Sequence, residues 1–129
     1  MVVRRDVLLG AAAALLLGAM PANAGGRVTY SDSVFESAMA SGGPVLVAIH
    51  ASWCPTCAAQ TPIIEGLLSA RFKEMTEIRV DFDAQKDVVR KLGANMQSTL
   101  IVFHNGQEVG RSVGDTDPAS IEALLAKAL

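Results

Sequence analysis

Residues 45–64 have the sequence VLVAIHASWCPTCAAQTPII, which combines a strand pattern, a cysteine pair and a helix pattern. The run 45–49 is continuously apolar and rich in β-branched residues, so it predicts a central strand that is buried on both faces. A short loop follows, and residues 54–72 predict a helix that Pro62 interrupts. Cys54 is therefore expected at the N-terminus of a helix, directly after a buried strand.

The motif Cys54-Pro55-Thr56-Cys57 at this helix start carries the predicted chemistry. Free backbone N–H groups and the positive end of the helix dipole stabilise a thiolate at Cys54. Pro55 suits the first turn, because the N–H that it lacks would be unpaired anyway. Since a thiolate attacks disulfides and Cys57 lies one turn along, the spacing predicts that Cys54 attacks a partner and Cys57 resolves the mixed disulfide. Trp53 is expected to shield one side of the sulfur.

The residues before this motif predict an edge strand and one helix. The edge strand is expected at 27–30. The helix is expected to begin with a capping box formed by Ser33 and Glu36 and to run to about residue 40. The tripeptide Gly42-Gly43-Pro44 then ends it.

The residues after the motif predict three strands and two helices. These elements are a strand at 78–82, a helix capped by Asp83 that runs to about Leu92, a strand at 99–103, its hairpin partner at 108–113 and a last helix that begins at Asp117-Pro118. Asn105-Gly106 is a strong hairpin signal between the last two strands. The order predicts an α/β fold, with a mixed central sheet and helices on both faces.

Two segments together resemble the thioredoxin family. The first, at 45–64, has the family's buried strand, its Trp-Cys-x-x-Cys motif and its helix with a proline. The second, MQSTLIVFHNGQEVGRSVG at 96–114, is similar to the family's later strand, hairpin and closing glycine. The resemblance covers about residues 28–129 and implies the thioredoxin fold and thiol–disulfide oxidoreductase activity. It also implies that Cys54 is the attacking sulfur and Cys57 the resolving one.

Position 98 departs from the family's pattern, which places a cis-proline just before the strand that follows this loop. Gln97-Ser98-Thr99 stands there instead. A non-proline cis bond costs about 2.5–4 kcal/mol, so we predict a trans bond between Gln97 and Ser98. The loop is still expected to present backbone groups to an extended substrate strand, and serine leaves more room beside the sulfurs than proline does.

Two further departures concern the redox chemistry. Ala48 stands where thioredoxins carry a buried aspartate that helps the resolving cysteine to lose its proton, so we expect slower resolution or a different redox potential. Between the cysteines, Pro55-Thr56 replaces the Gly-Pro typical of thioredoxin-type reductants and the Pro-His of the strong bacterial oxidant. Potentials in this superfamily run from about −270 to −120 mV. We expect an intermediate value and favour a reductant over an oxidant.

Residues 1–24 have the pattern of a secretory signal. Arg4-Arg5 precedes an apolar run at 7–19, and Ala22-Asn23-Ala24 supplies a cleavage site. The arginine pair also resembles a twin-arginine signal, with an ordinary export signal and an uncleaved anchor as the alternatives. Export would place a thioredoxin-like domain at 25–129 in the periplasm, which is an oxidising compartment.

The composition fits a single small redox domain and excludes other classes. The chain has 129 residues, a formal net charge of −2 and 5% aromatic residues, so it offers neither a basic patch nor a base-stacking surface for nucleic acid. We expect a monomer without a cofactor or metal that acts on protein thiols and disulfides. The resemblance to periplasmic thioredoxin-like reductases also implies a membrane electron donor.

Two other functions stay open at this point. Cys54 and Cys57, together with His50, would form part of a metal or iron–sulfur site in a binding or delivery module. Alternatively, a non-catalytic binding module would present the loop at Ser98 and Thr99 to a partner strand.

The remaining polar residues are predicted to be structural. His50 is expected at a half-buried strand end with a local hydrogen bond, and His104 is expected to face solvent beside the hairpin turn. Four acidic residues are expected on solvated faces, namely Glu65, Glu74, Glu77 and Asp81.

Overall fold

The fold is an α/β arrangement of strands and helices in a computed structural model that describes residues 26–129. In chain order the elements are β1 (Gly26–Thr29), α1 (Asp32–Ser41), β2 (Val45–His50), α2 (Pro55–Ala70), β3 (Thr76–Asp81), α3 (Lys86–Lys91), β4 (Thr99–His104), β5 (Gln107–Val113) and α4 (Pro118–Ala126). This is the predicted order of elements. The signal predicted at 1–24 lies outside the described residues. Within 26–129, no helix has the length and apolar character needed to cross a membrane.

The five strands form one mixed sheet in the order β1-β3-β2-β4-β5. The first two strands both run parallel to β3, whereas β4 is antiparallel to β2 and to β5. The predicted edge strand is thus at an edge, and the strand that precedes the cysteines is central. Asn105 and Gly106 have φ angles of +52° and +74°, as a tight hairpin turn requires.

The alternating side chains of β2 explain its continuous apolar run. Val45, Val47 and Ile49 pack under α1 and α3 on one face of the sheet. Leu46 and Ala48 point to the other face, where α2 and α4 cover them. Because both faces are buried, the strand carries no polar side chain until it ends at His50 beside the active-site loop.

The active-site helix α2 continues through Pro62 without the interruption that the sequence predicts. Pro62 lies inside α2, which runs continuously from Pro55 to Ala70, so the predicted interruption is wrong. A proline removes one backbone hydrogen bond, and packing of the buried Ile64 against the sheet holds the helix through it.

Two predicted helix caps are also wrong. Ser31 caps α1, because its Oγ accepts a backbone N–H of the first turn at 3.1 Å, and Ser33 lies inside that turn. Asp83 does not cap α3, which begins at Lys86 without a side-chain cap. Serine and aspartate are both favourable N-cap residues, and several of them stand next to each other at the start of α1. Residue type alone therefore does not show which of them is the N-cap.

Alanine substitutions separate the two candidate caps of α1. We expect Ser31→Ala to lower the free energy of unfolding by about 1 kcal/mol, because it removes the N-cap acceptor. Ser33→Ala, a change of an exposed residue, is expected to alter it by less than about 0.5 kcal/mol. Urea denaturation followed by circular dichroism measures both values. A larger loss of unfolding free energy in Ser33→Ala than in Ser31→Ala would support the capping box that the sequence predicts.

Candidate active site

The two cysteines lie at the start of α2, where β2 and its loop deliver them. Cys54 is the N-cap residue, and its Sγ accepts the N–H of Cys57 at 3.0 Å. Both thiols are free and nearly buried, with exposed fractions of 3% and 1%. Pro55 is exposed at the first helical position and Thr56 is half-buried. The structure therefore brings the predicted motif together in the predicted geometry.

Cys57 lies beneath Cys54 in an apolar setting. Its Sγ faces the carbonyl oxygen of Ile49 at 4.0 Å. Burial raises the pKa of the Cys57 thiol above its ordinary value, and the hydrogen bond with Cys54 raises it further. Backbone N–H groups of Ala51 and Ser98 act in the opposite direction. The second sulfur thus keeps its proton more firmly than a free cysteine does.

Trp53 precedes Cys54 in the chain and is held by two residues of the turn that follows β3. Its indole Nε1 donates to Oδ2 of Asp83 at 2.6 Å, and its ring meets Phe82 edge-on with centroids 6.4 Å apart. The tryptophan nevertheless remains 58% exposed. Asp83 therefore anchors Trp53 instead of capping α3.

The loop before β4 places Ser98 against the end of β2. The described part of the chain contains no cis peptide bond, so the predicted trans bond between Gln97 and Ser98 is confirmed. Ser98 has φ +58° and donates its N–H to the Ile49 carbonyl at 2.7 Å. Its hydroxyl donates to the Gln97 carbonyl at 2.5 Å, and the Thr99 hydroxyl donates to the Met96 carbonyl at 2.7 Å. One carbonyl of β2 thereby links this loop to Cys57.

Ala48 lies beneath the cysteines without a proton-accepting group. It is buried among apolar side chains, as predicted, and stands opposite Arg79 in the register of β2 and β3. Arg79 donates to the Thr61 hydroxyl at 3.2 Å, and that hydroxyl donates to the Cys57 carbonyl at 3.0 Å. A basic residue therefore contacts the active-site helix at the level of Ala48.

Comparison with known proteins places the described domain in one family. The family model named Thioredoxin matches residues 27–127. The thioredoxin of Chlamydia muridarum is 38% identical over 97 residues, which cover 75% of this chain and 93% of that protein. The crystal structure of Trxlp from Edwardsiella tarda EIB202 has 40% identity and a TM-score of 0.75, and it covers 78% of this chain and 98% of that one.

The chain belongs to the thioredoxin family. Its fold is the thioredoxin fold, as the resemblance implied, and its reaction class is thiol–disulfide oxidoreduction. The described residues contain one pair of nearby cysteines, Cys54 and Cys57.

The raised pKa of Cys57 predicts how the second exchange depends on pH. Only the thiolate attacks. While the pH is below the pKa of Cys57, each unit by which the pH rises should therefore accelerate release of a peptide held on Cys54 by up to about tenfold. A mixed disulfide trapped in acid, where Cys57 is protonated, and then mixed rapidly into buffers of several pH values gives the release rate. Cys57→Ser, which lacks the attacking sulfur, is the control and should release no peptide. A rate that stays constant between about pH 7 and 9 would contradict the prediction.

Glu77 was predicted on a solvated face, and this prediction is wrong. Its side chain is fully buried in β3, on the face that α2 covers. Its carboxylate accepts from Arg27 of β1 at 2.9 Å and from Arg79, two residues along its own strand, at 3.4 Å. Residues 77, 79 and 81 alternate with apolar ones, so they share a face, but the sequence does not show that Arg27 comes to cover it.

Neither histidine joins the cysteines. His50 ends β2 half-buried, as predicted, and its side chain lines a pocket of about 290 Å³ with Arg27, Arg79 and Asp81. Burial, with help from the two arginines, lowers the pKa of His50. His104 is half-buried, not solvent-facing, and its Nδ1 has no hydrogen-bond partner among the described residues. The hairpin strand β5 packs alongside it.

A metal site at the cysteines gains no structural argument. Within residues 26–129, no three His, Cys, Asp or Glu side chains cluster in a way that could hold an ion. Cys54 and Cys57 supply two ligands, whereas structural zinc and iron–sulfur sites use four.

Gln60 is a buried site residue that the sequence analysis missed. It is 3% exposed and makes hydrogen bonds to two loops next to the cysteines. The available signal was its spacing: Gln60 is three residues after Cys57 and four before Ile64, so all three share the inward face of α2.

Proposed function

We propose that this chain reduces disulfide bonds of exported proteins through the Cys54/Cys57 couple. The observation that carries the proposal is the position of Cys54 at the N-cap of α2, with the Cys57 N–H donating to its sulfur at 3.0 Å. This geometry stabilises the attacking thiolate and keeps the second sulfur one turn away. Membership of the thioredoxin family supplies the reaction class.

The reaction consists of two balanced exchanges. The Cys54 thiolate attacks one sulfur of the partner's disulfide, so a new S–S bond forms, the old one breaks and the leaving thiolate takes up a proton. Cys57 then gives its proton to water and attacks Cys54, which releases the partner's second sulfur as a thiolate that is protonated. Two electrons pass to the partner, and the couple ends as a disulfide.

The direction of electron flow depends on what stabilises the reduced couple. Strong oxidants of this superfamily have a stabilised reduced form, with an attacking thiolate of very low pKa. Here the intervening Pro55 and Thr56 carry no charge, and burial raises the pKa of Cys57. Beyond the N-cap contact at Cys54, the motif has no charged group that would stabilise the reduced pair further. We therefore expect it to give up its electrons more readily than the pair of a strong oxidant does, and this supports a reductant.

We also propose that the reaction takes place in the periplasm, on the basis of the signal pattern at 1–24. A donor in the membrane would then return the couple to the dithiol after each turnover. Mass spectrometry of the protein recovered from the periplasmic fraction tests the location. We expect an N-terminus at Gly25, and protein confined to the cytoplasm with residues 1–24 still attached would contradict the proposal.

A peptide disulfide that carries a fluorophore and a quencher tests the activity, with dithiothreitol as the electron source. We expect the wild-type chain to accelerate the reduction and the double variant Cys54→Ser/Cys57→Ser to remain at the background rate. Equal rates for the two proteins would contradict the proposal and favour the non-catalytic binding module.

A further inference from the structure

Gln60 joins three separate parts of the active-site region. Its Nε2 donates to the Ser98 carbonyl at 3.3 Å, in the loop before β4. The same nitrogen donates to the Asp115 carbonyl at 2.9 Å, in the turn that follows β5. Gln60 itself is on α2, three residues beyond Cys57, and its side chain is almost completely buried. One amide thus connects the cysteine helix to the two loops beside it.

Ser98 needs such a connection because its backbone is in an unusual conformation. Its φ of +58° lies in the left-handed region, which carries a penalty for residues other than glycine. Proline, with φ fixed near −65°, cannot adopt this conformation. Contacts must therefore hold the loop, and they are the Ser98 N–H to Ile49 at 2.7 Å, the Gly114 N–H to the Ser98 carbonyl at 3.0 Å and the Gln60 amide.

The burial of Gln60 and Ser98 makes the contact between the Gln60 amide and the Ser98 carbonyl difficult to replace. The Ser98 residue is 4% exposed, so water has little access to groups that lose a partner there. An apolar side chain at position 60 would leave the Asp115 carbonyl without this donor and would remove one of two donors from the Ser98 carbonyl. Buried polar groups that lose their partners are costly, and a loop relieves the cost by moving.

We infer that Gln60 is a positioning residue that holds the trans Ser98 loop beside the Cys54/Cys57 pair and thereby favours peptide disulfides over small ones. The inference rests on the proposed function. An extended peptide needs a fixed loop backbone next to the sulfur in order to align its disulfide. A small disulfide reaches Cys54 without contacting the loop, so its reduction does not depend on the loop's position.

Kinetics of Gln60→Met with two substrates test the inference, because methionine matches glutamine in length and has no donor. For the peptide disulfide we expect KM to rise about tenfold, the effect of one or two lost neutral hydrogen bonds, with a smaller change in kcat. For cystamine, a small disulfide, we expect kcat/KM to stay within about twofold of wild type. Ile64→Val is the control, because it perturbs the same buried face of α2 and does not contact the loop. It should leave KM and kcat unchanged for both substrates.

Hydrogen exchange provides a readout that does not depend on activity. The Gly114 amide donates to the Ser98 carbonyl, so its exchange should accelerate about tenfold in Gln60→Met if the amide holds the loop. The same amide should exchange at the wild-type rate in Ile64→Val. Unchanged exchange in Gln60→Met would overturn the inference.

The two substrates also separate this inference from the proposed function. A wild-type chain that reduces neither disulfide would overturn the proposed function and this inference together. An active wild-type chain whose Gln60→Met variant loses activity equally on both substrates, or on neither, would overturn the inference alone.

Discussion

Replacing Cys54 by serine is expected to lower the rate of peptide disulfide reduction to the uncatalysed rate. The alcohol of serine is a far weaker nucleophile than a thiolate at neutral pH. The fold should be unaffected, because serine is among the preferred N-cap residues and takes the place of the Cys54 sulfur as acceptor for the Cys57 N–H. The quenched peptide assay gives the rate, and circular dichroism gives the stability.

Cys57→Ser is the matched control for this prediction. It retains the attacking sulfur, so it should react once and then accumulate a mixed disulfide between Cys54 and the peptide. Intact-mass spectrometry detects the adduct, and digestion locates it. An adduct that accumulates on Cys57 in the Cys54→Ser variant, with none on Cys54 in Cys57→Ser, would reverse the two roles.

Glu77→Ala is expected to destabilise the fold strongly, because Glu77 is a fully buried carboxylate with two arginine partners. The substitution leaves Arg27 and Arg79 facing each other without the carboxylate that lies between them. Glu77 is fully buried and its two arginine partners are partly exposed, so the substitution removes two charge-assisted hydrogen bonds at a cost of about 3 kcal/mol. For a domain of this size the loss corresponds to a fall in Tm of more than about 10 °C. Thermal and urea unfolding of the reduced protein measure it.

Glu74→Ala is the matched control, because it removes the same group three residues earlier from an exposed position. We expect it to change the free energy of unfolding by less than about 0.5 kcal/mol. Glu77→Gln keeps the size and one acceptor of the side chain and should fall between the two. Equal stabilities for Glu77→Ala and Glu74→Ala would show that the buried network does not stabilise the fold.

The sequence predicts those features of the fold that local patterns encode. The apolar run of β2, the Asn105-Gly106 turn and the Asp117-Pro118 helix start each specify their structure within a few residues, and all three are found. The cysteine motif belongs to this group, because its position between a buried strand and a helix places Cys54 at the N-cap.

The features that the sequence did not predict depend on contacts between distant segments. Glu77 is buried because Arg27, fifty residues earlier, pairs with it across the sheet. Asp83 binds the Trp53 indole across thirty residues instead of capping its own helix. The hydrogen bonds of Gln60 likewise reach the Ser98 loop and the turn at Asp115. The neighbouring sequence of a polar residue predicts that its side chain is exposed. Its hydrogen-bonding partner is distant in the sequence and becomes visible only in the tertiary structure.

The reduction potential of the Cys54/Cys57 couple is the most direct test of the central claim, that this pair is an electron-donating redox couple. Equilibrium titration against thiol buffers, with the two forms separated by alkylation and mass, yields the value. We predict reversible two-electron behaviour and a potential closer to about −270 mV than to about −120 mV. A potential of about −120 to −180 mV would identify an oxidant or isomerase, and a pair that does not equilibrate with thiols would contradict the account altogether.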